Sequence, residues 1–197
     1  MYKFAANLLK VVLSLFGRIE VYQKENLPKT GGYVIACTHT GWVDILWLGI
    51  ATLPKEINYM AKKELFQSKM MKWLMYHLHA FPVDRENPGP SSIKVPRRLL
   101  AEGKVVGIFP SGTRKSEDVP LKRGAVTIAA NSKVPIIPAA YIGPNNFKDL
   151  FKRRKPKLIY GKPIYLPENE SKKVGMEIMM NHVNEEFIKL QEQLRTP

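Results

Sequence analysis

Tyr33-Val34-Ile35-Ala36-Cys37-Thr38-His39-Thr40-Gly41-Trp42-Val43-Asp44-Ile45-Leu46-Trp47 reads as a buried strand, a polar break and a buried helix. The apolar run up to Cys37 has the length of a strand covered on both faces. Val43 to Thr52 is long enough for a helix, and Pro54 stops it. His39 then stands at a strand end and Asp44 in the first helical turn, where side chains can face a cleft. A histidine near neutral pH can take a proton from an alcohol. A carboxylate beside it can fix its tautomer and stabilise the imidazolium. His and Asp at this separation are common, so the pair alone also fits a structural role.

Outward from this stretch, strands alternate with helices. Arg18–Gln23, Ile57–Ala61, Ala80–Asp84, Val105–Phe109, Val134–Ile142 and Lys157–Tyr160 read as further strands. Helices are predicted over Lys62–Leu78, from Ser91 or Ser92 as cap to Glu102, over Ala125–Asn131 and over Lys172–Leu194. Gly103 ends the second of these. Pro144 to Pro156 reads as a basic loop. On the helix Lys62–Leu78, the stripe Leu65, Phe66, Met70, Trp73, Leu74 and Leu78 reads first as core, with an acyl groove or membrane contact as the other options. The pattern predicts an α/β fold in one domain: a mixed, mostly parallel sheet of about seven strands flanked by helices.

The chain has 197 residues, of which 45% are apolar, enough for one domain with a sizeable core. Lys and Arg number 31 against 17 acids, a formal charge of +14 that attracts nucleic acid, anionic lipid or phosphorylated substrates. The basic residues are scattered and form no nucleic-acid module, so nucleic acid is not an expected partner. The lone cysteine, Cys37, lies inside the apolar strand and reads as a buried thiol. His77 and His79 diverge on a helix and have no third ligand, so no metal site is expected.

No segment reaches the roughly 20 apolar residues of a membrane-spanning helix. At the N-terminus, Lys3, Asn7, Lys10 and Ser14 make one polar stripe on an otherwise apolar helix. Lys10 interrupts the run and no small-residue cleavage site follows, which argues against a secretory signal. Residues 1–17 read as an amphipathic membrane-interface helix, with packing onto the domain as the alternative, and 18–197 as the globular domain.

Three strand ends carry chemistry. His39 and Asp44 follow one, Arg85 a second, and Gly112-Thr113-Arg114 a third. Ligands of open α/β sheets bind beyond the carboxyl ends of strands. If these strands are neighbours, one cleft holds a base, its carboxylate, two arginine forks suited to phosphate, and a backbone that Gly112 opens to an anion. Ser111 is no hydrolase nucleophile, because Phe109 occupies the position of the first glycine of that elbow.

These stretches resemble, in order, four motifs of the glycerolipid acyltransferases with a His-x4-Asp signature. His39 to Asp44 is similar to the first. Phe81-Pro82-Val83-Asp84-Arg85 is similar to the second, Phe109-Pro110-Ser111-Gly112-Thr113-Arg114 to the third, and Val134-Pro135-Ile136-Ile137-Pro138 to the fourth. Glu25-Asn26-Leu27-Pro28 and Lys62-Lys63-Glu64-Leu65-Phe66 also resemble family segments.

The resemblance implies that His39, oriented by Asp44, deprotonates the free hydroxyl of 1-acylglycerol 3-phosphate. That oxygen attacks the thioester of acyl-CoA or acyl carrier protein, forming phosphatidic acid. Arg85, Gly112, Thr113 and Arg114 would hold the acceptor phosphate, Lys122 would stabilise oxyanion charge, and Pro138 would shape the pocket and acyl channel. No metal or bound cofactor is implied. Expected partners are the lysophospholipid, the acyl thioester, an anionic membrane surface and, as donor, acyl carrier protein. The expected location is the cytoplasmic face of the cell membrane, peripheral or monotopic. Ser111 departs from the family's usual glutamate, which leaves the acceptor contact at that position open. Other acceptors, namely another lysophospholipid or glycerol 3-phosphate, remain alternatives. A non-catalytic basic protein binding membrane or nucleic acid is the alternative from a different class.

Overall fold

The structure is a computed structural model, and it describes residues 9, 11–15, 17–39, 41–84, 87, 89–110, 123–151 and 155–196. Seven strands form one sheet: β1 (Glu20–Tyr22), β2 (Tyr33–Cys37), β3 (Ile57–Lys62), β4 (Phe81–Val83), β5 (Val105–Ile108), β6 (Ile136–Ile142) and β7 (Lys157–Tyr160). Their order is β1-β7-β6-β2-β5-β3-β4. The five strands from β6 to β4 are mutually parallel. β7 is antiparallel to β6, and β1 runs parallel to β7. The predicted mixed, mostly parallel sheet is the observed one.

The helices are α1 (Val43–Thr52), α2 (Lys69–His77), α3 (Ser91–Ala101), α4 (Arg123–Ser132), α5 (Phe147–Leu150) and α6 (Lys172–Arg195). β2 is central and all five of its residues are buried, which is why it reads as an unbroken apolar run. Its pleat sorts them to two cores. Tyr33, Ile35 and Cys37 pack with Trp47 and Leu48 of α1 on one face. Val34 and Ala36 pack with Ala125, Val126 and Ala129 of α4 and with Met179 and Val183 of α6 on the other. Burying Trp47 and Leu48 is worth about 1.5–3 kcal/mol each, enough to hold α1 flat on the sheet.

Three local expectations change. Lys62–Leu78 is not one helix: Lys62 completes β3, Lys63–Phe66 forms a 3₁₀ turn, and α2 starts after Ser68, whose side chain accepts the Met71 amide. Its apolar stripe is only partly core: Met70, Trp73 and Leu74 are exposed, while Leu65, Phe66 and Leu78 are half-buried, and Phe66 packs against the core together with Met75. Neither Ser91 nor Ser92 caps α3; both lie within it, and Ser92 Oγ donates back to the Gly89 carbonyl at 2.6 Å. The basic loop from Pro144 to Pro156 contains α5, capped by Asn146 Oδ1 accepting the Asp149 amide at 2.9 Å.

Residue 9 and residues 11–14 are helical. Leu13 is buried in the α1-side core, and Leu9 packs against it. Val11, Val12 and Leu15 are exposed.

Candidate active site

The strand order sets the site. From β2 the chain crosses by α1, on one face, toward β3. From β5 it crosses by α4, on the opposite face, to β6. β2 and β5 are hydrogen-bonded neighbours, so their outgoing segments part in opposite directions. A crevice opens at such a switch point, beyond the carboxyl ends of the strands. His39 follows β2 there, and Phe109 follows β5.

The pair itself is built as the sequence implies. His39 Nδ1 and Asp44 Oδ2 lie 3.1 Å apart. Asp44 is fully buried in the first turn of α1, where the helix dipole favours a negative charge. Burying a carboxylate is costly unless donors meet it. The Gly41 amide donates to the same Oδ2 at 3.0 Å. With its Nδ1–H given to Asp44, the imidazole presents Nε2 as the proton acceptor. The ring is nearly buried, at 9% exposure, and lies against Phe109 with centroids 4.6 Å apart. Phe109 in turn stacks on Tyr59, whose hydroxyl donates to the Ile45 carbonyl of α1 at 3.0 Å. An aromatic wall thus holds the imidazole plane from the β5 side.

The other side is stitched to β6. The Thr38 amide donates to the Ala139 carbonyl, and the Tyr141 amide donates to Thr38 Oγ1, both at 3.1 Å. The Trp42 amide donates to the Asn145 carbonyl at 3.1 Å. A Cβ on Gly41 would overlap that same carbonyl, so the loops meet only because position 41 is glycine. Gly41, Phe109, Thr38 and Tyr59 thus support the site, although sequence reasoning gave them no role. The signals were a glycine between the His and the Asp, and an aromatic at the end of the third strand.

Nearby groups that could compete as nucleophiles are quiet. Burial, and secondarily the Asp44 charge, push the Cys37 thiol well above its ordinary range. Burial likewise raises the Tyr141 phenol, and its hydroxyl donates to the Pro144 carbonyl at 3.1 Å.

Of the expected binding residues, Arg85, Ser111, Gly112, Thr113, Arg114 and Lys122 lie outside the described residues. The strands that lead to them are described. β5 is next to β2, as the one-cleft arrangement requires. β4, which precedes Arg85, lies two strands beyond β5, with β3 between them. Pro138 is opposite Ala36 in register, and its ring would meet a Cβ on Gly161, on the side of α6. Ile137 and Ala139 face the α1 side where Phe109 sits, so the Pro138 ring points to the opposite core and does not join His39. Among the described residues no three His, Cys, Asp or Glu side chains are grouped to hold a metal ion.

The chain is also similar to known proteins. A family model described as Acyltransferase matches residues 18–142. A 1-acyl-sn-glycerol-3-phosphate acyltransferase of Bacillus subtilis is 59% identical over 191 residues, covering 94% of this chain and 96% of that protein. A protein of the same name from Streptococcus pneumoniae is 34% identical, covering 98% of this chain and 74% of its own length. The crystal structure of the 1-acyl-sn-glycerophosphate acyltransferase PlsC from Thermotoga maritima superposes with a TM-score of 0.68 at 22% identity. It covers 100% of this chain and 80% of that one, a likeness of fold. With a family model over more than half its length and so close a relative over nearly all of it, this chain belongs to the acyltransferase family.

Proposed function

We propose that this enzyme acylates the free hydroxyl of 1-acylglycerol 3-phosphate, with acyl-CoA or acyl carrier protein as donor, and so makes phosphatidic acid. The observation that carries the reading is the His39–Asp44 pair at the switch point, 3.1 Å apart, with its tautomer set by a buried carboxylate. The names of two relatives with extensive coverage support the choice of acceptor.

In this mechanism His39 Nε2 accepts the acceptor's hydroxyl proton as the oxygen attacks the thioester carbonyl. The resulting imidazolium is stabilised by Asp44. It returns the proton to the departing thiolate when the tetrahedral intermediate collapses. The substrate's own oxygen is the nucleophile, so no protein acyl intermediate forms and neither a metal nor a bound cofactor is required. Arg85, Gly112, Thr113 and Arg114 are proposed to bind the acceptor phosphate, with Ser111 beside it and Lys122 on the developing oxyanion. The proposed location is peripheral, on the cytoplasmic face of the cell membrane. No helix among the described residues is long and apolar enough to cross a bilayer.

The test is acyl transfer by the purified chain to 1-acylglycerol 3-phosphate, from acyl-CoA and from acyl carrier protein in parallel. His39→Ala is expected to lower kcat about 10²–10⁴-fold. Transfer by His39→Ala at the wild-type rate overturns the mechanism. A wild-type preference for another acceptor overturns the substrate.

A further inference from the structure

α2 is an unusual helix for so small a domain: none of its nine residues is buried. Met70 is 77% exposed, Trp73 58%, and Tyr76 and Leu74 also face solvent. Met75 and Phe66 anchor the segment to the core on the α1 side of the sheet. Trp73 packs on His77 with centroids 4.1 Å apart, and Tyr76 packs on Phe66 at 5.4 Å. The aromatics are therefore held in place at the surface by other rings.

We propose that this face of α2 is a membrane-docking surface and that its occupant is the headgroup layer of an anionic bilayer. Charge chooses the occupant. From Leu65 to Val83 the chain contains no acid, two lysines, Lys69 and Lys72, and two histidines. Neither lysine has an acidic partner within 4 Å among the described residues. A second copy of this chain would bring the same positive face against itself, within a molecule of formal charge +14. An anionic lipid surface neutralises it instead. The side chains fit the same surroundings. Trp and Tyr place an apolar ring and a polar tip at the headgroup level, and Met and Leu extend below it. Nine residues span only about 13 Å, so α2 lies in the interface and does not cross it. The exposed aliphatics of α6, Val174, Ile178 and Ile188, differ in this respect. They stand among exposed acids, Glu177, Glu185 and Glu192, as well as exposed lysines, so that face is of mixed charge and lacks the acid-free character of α2.

α2 connects directly to the carboxyl edge of the sheet, because the chain enters it from the end of β3. Docked on α2, the molecule would take a lipid acceptor from the plane of the bilayer into the crevice at His39. That last step rests on the proposed function; the docking itself does not.

The experiment compares the full chain with a Met70→Ser, Trp73→Ser double variant on vesicles of equal parts phosphatidylcholine and phosphatidylglycerol. An Ile178→Ser, Ile188→Ser variant on α6 is the control. The α2 variant is expected to lose at least tenfold in vesicle partitioning, and the α6 variant less than about twofold. Acyl transfer to a monomeric short-chain lysophosphatidate should stay within about twofold of wild type in the α2 variant. In wild-type protein, brominated lipid should quench Trp73 emission, measured as the difference from Trp73→Phe. Partitioning of the α2 variant within about twofold of wild type overturns the proposal. So does a wild-type dimer that the α2 variant converts to monomer without loss of vesicle binding. If wild-type protein binds vesicles through α2 but transfers no acyl group, the proposed function fails and the docking surface stands.

Discussion

Asp44→Asn separates the two duties of the buried carboxylate, orientation and charge. The hydrogen bonds from the Gly41 amide and from His39 Nδ1 reach the same oxygen of Asp44, Oδ2. An asparagine that places its carbonyl oxygen there keeps both bonds. The reverse orientation would point its NH₂ at the buried Gly41 N–H, donor against donor. The Gly41 amide therefore selects the orientation that preserves the His39 tautomer, and the variant keeps these two bonds while it loses the charge. The lower bound of that loss is the strength of a hydrogen bond to a charged group, about 1.5 kcal/mol. The upper bound is the attraction of two unit charges ~4 Å apart at an effective dielectric of ~20, about 4 kcal/mol. At ~1.4 kcal/mol per tenfold, kcat should fall between ~10-fold and ~10³-fold. Asp44→Ala, which also frees the ring and leaves the Gly41 amide without this acceptor, should fall further. The assay is single-turnover acyl transfer at saturating acceptor, beside His39→Ala as the floor. A rate within about twofold of wild type would refute the role of the charge. A rate at the His39→Ala floor would refute the orientation argument, because it would mean that the tautomer had inverted.

Gly41→Ala should cost about 1–3 kcal/mol in a denaturant titration, because its Cβ overlaps the Asn145 carbonyl and one of the two loops must move. Activity should fall more than stability suggests, since the Gly41 amide also holds Asp44. Cys37, buried and with its thiol pushed well up, should resist thiol reagents at pH 8 in the native protein and react fully once denatured; rapid native labelling would contradict the burial. His79 is held below its ordinary pKa by burial, which outweighs the Glu56 carboxylate 3.4 Å away. The unfolded chain therefore binds its proton first, and this contribution to stability shrinks as pH falls through the unfolded value near ~6.5. His79→Asn, which tolerates the positive φ of 56° there, should flatten the fall in Tm between about pH 7 and 5.5.

Much of the fold was legible because its central elements are simple. β2 is apolar without interruption since it is covered on both faces, and α1 has the predicted bounds from Val43 to Thr52. α2 was misread because it is apolar on two sides. Met75, with Phe66 just before the helix, supplies the inward contact, while Met70, Trp73 and Leu74 supply an equally apolar outer face. Periodicity detects such a stripe but does not say which side the sheet takes. α5 is one turn long, and its only signal was Asn146 placed to cap it. At the site, His39 and Asp44 were legible as a pair, while Gly112 and the residues expected beside it lie outside the described residues. Phe109 was quoted in its motif without a role, since contact with His39 depends on β2 and β5 being neighbours. The insertion of β3 between β5 and β4 is likewise a matter of strand order, which residue patterns do not encode.

The contact between Gly41 and Asn145 constrains its two positions unequally. What position 145 contributes is a peptide carbonyl, which every amino acid possesses, while its side chain is exposed. What position 41 contributes is the lack of a side chain, which only glycine offers. A saturation library should therefore return many residues at 145 and almost none at 41, although the two share one junction. Position 145 can then change its side chain, and so remodel that part of the crevice rim, without disturbing the base. Invention at the mouth of this site is decoupled from the chemistry at its floor by a bond that passes through backbone on both sides.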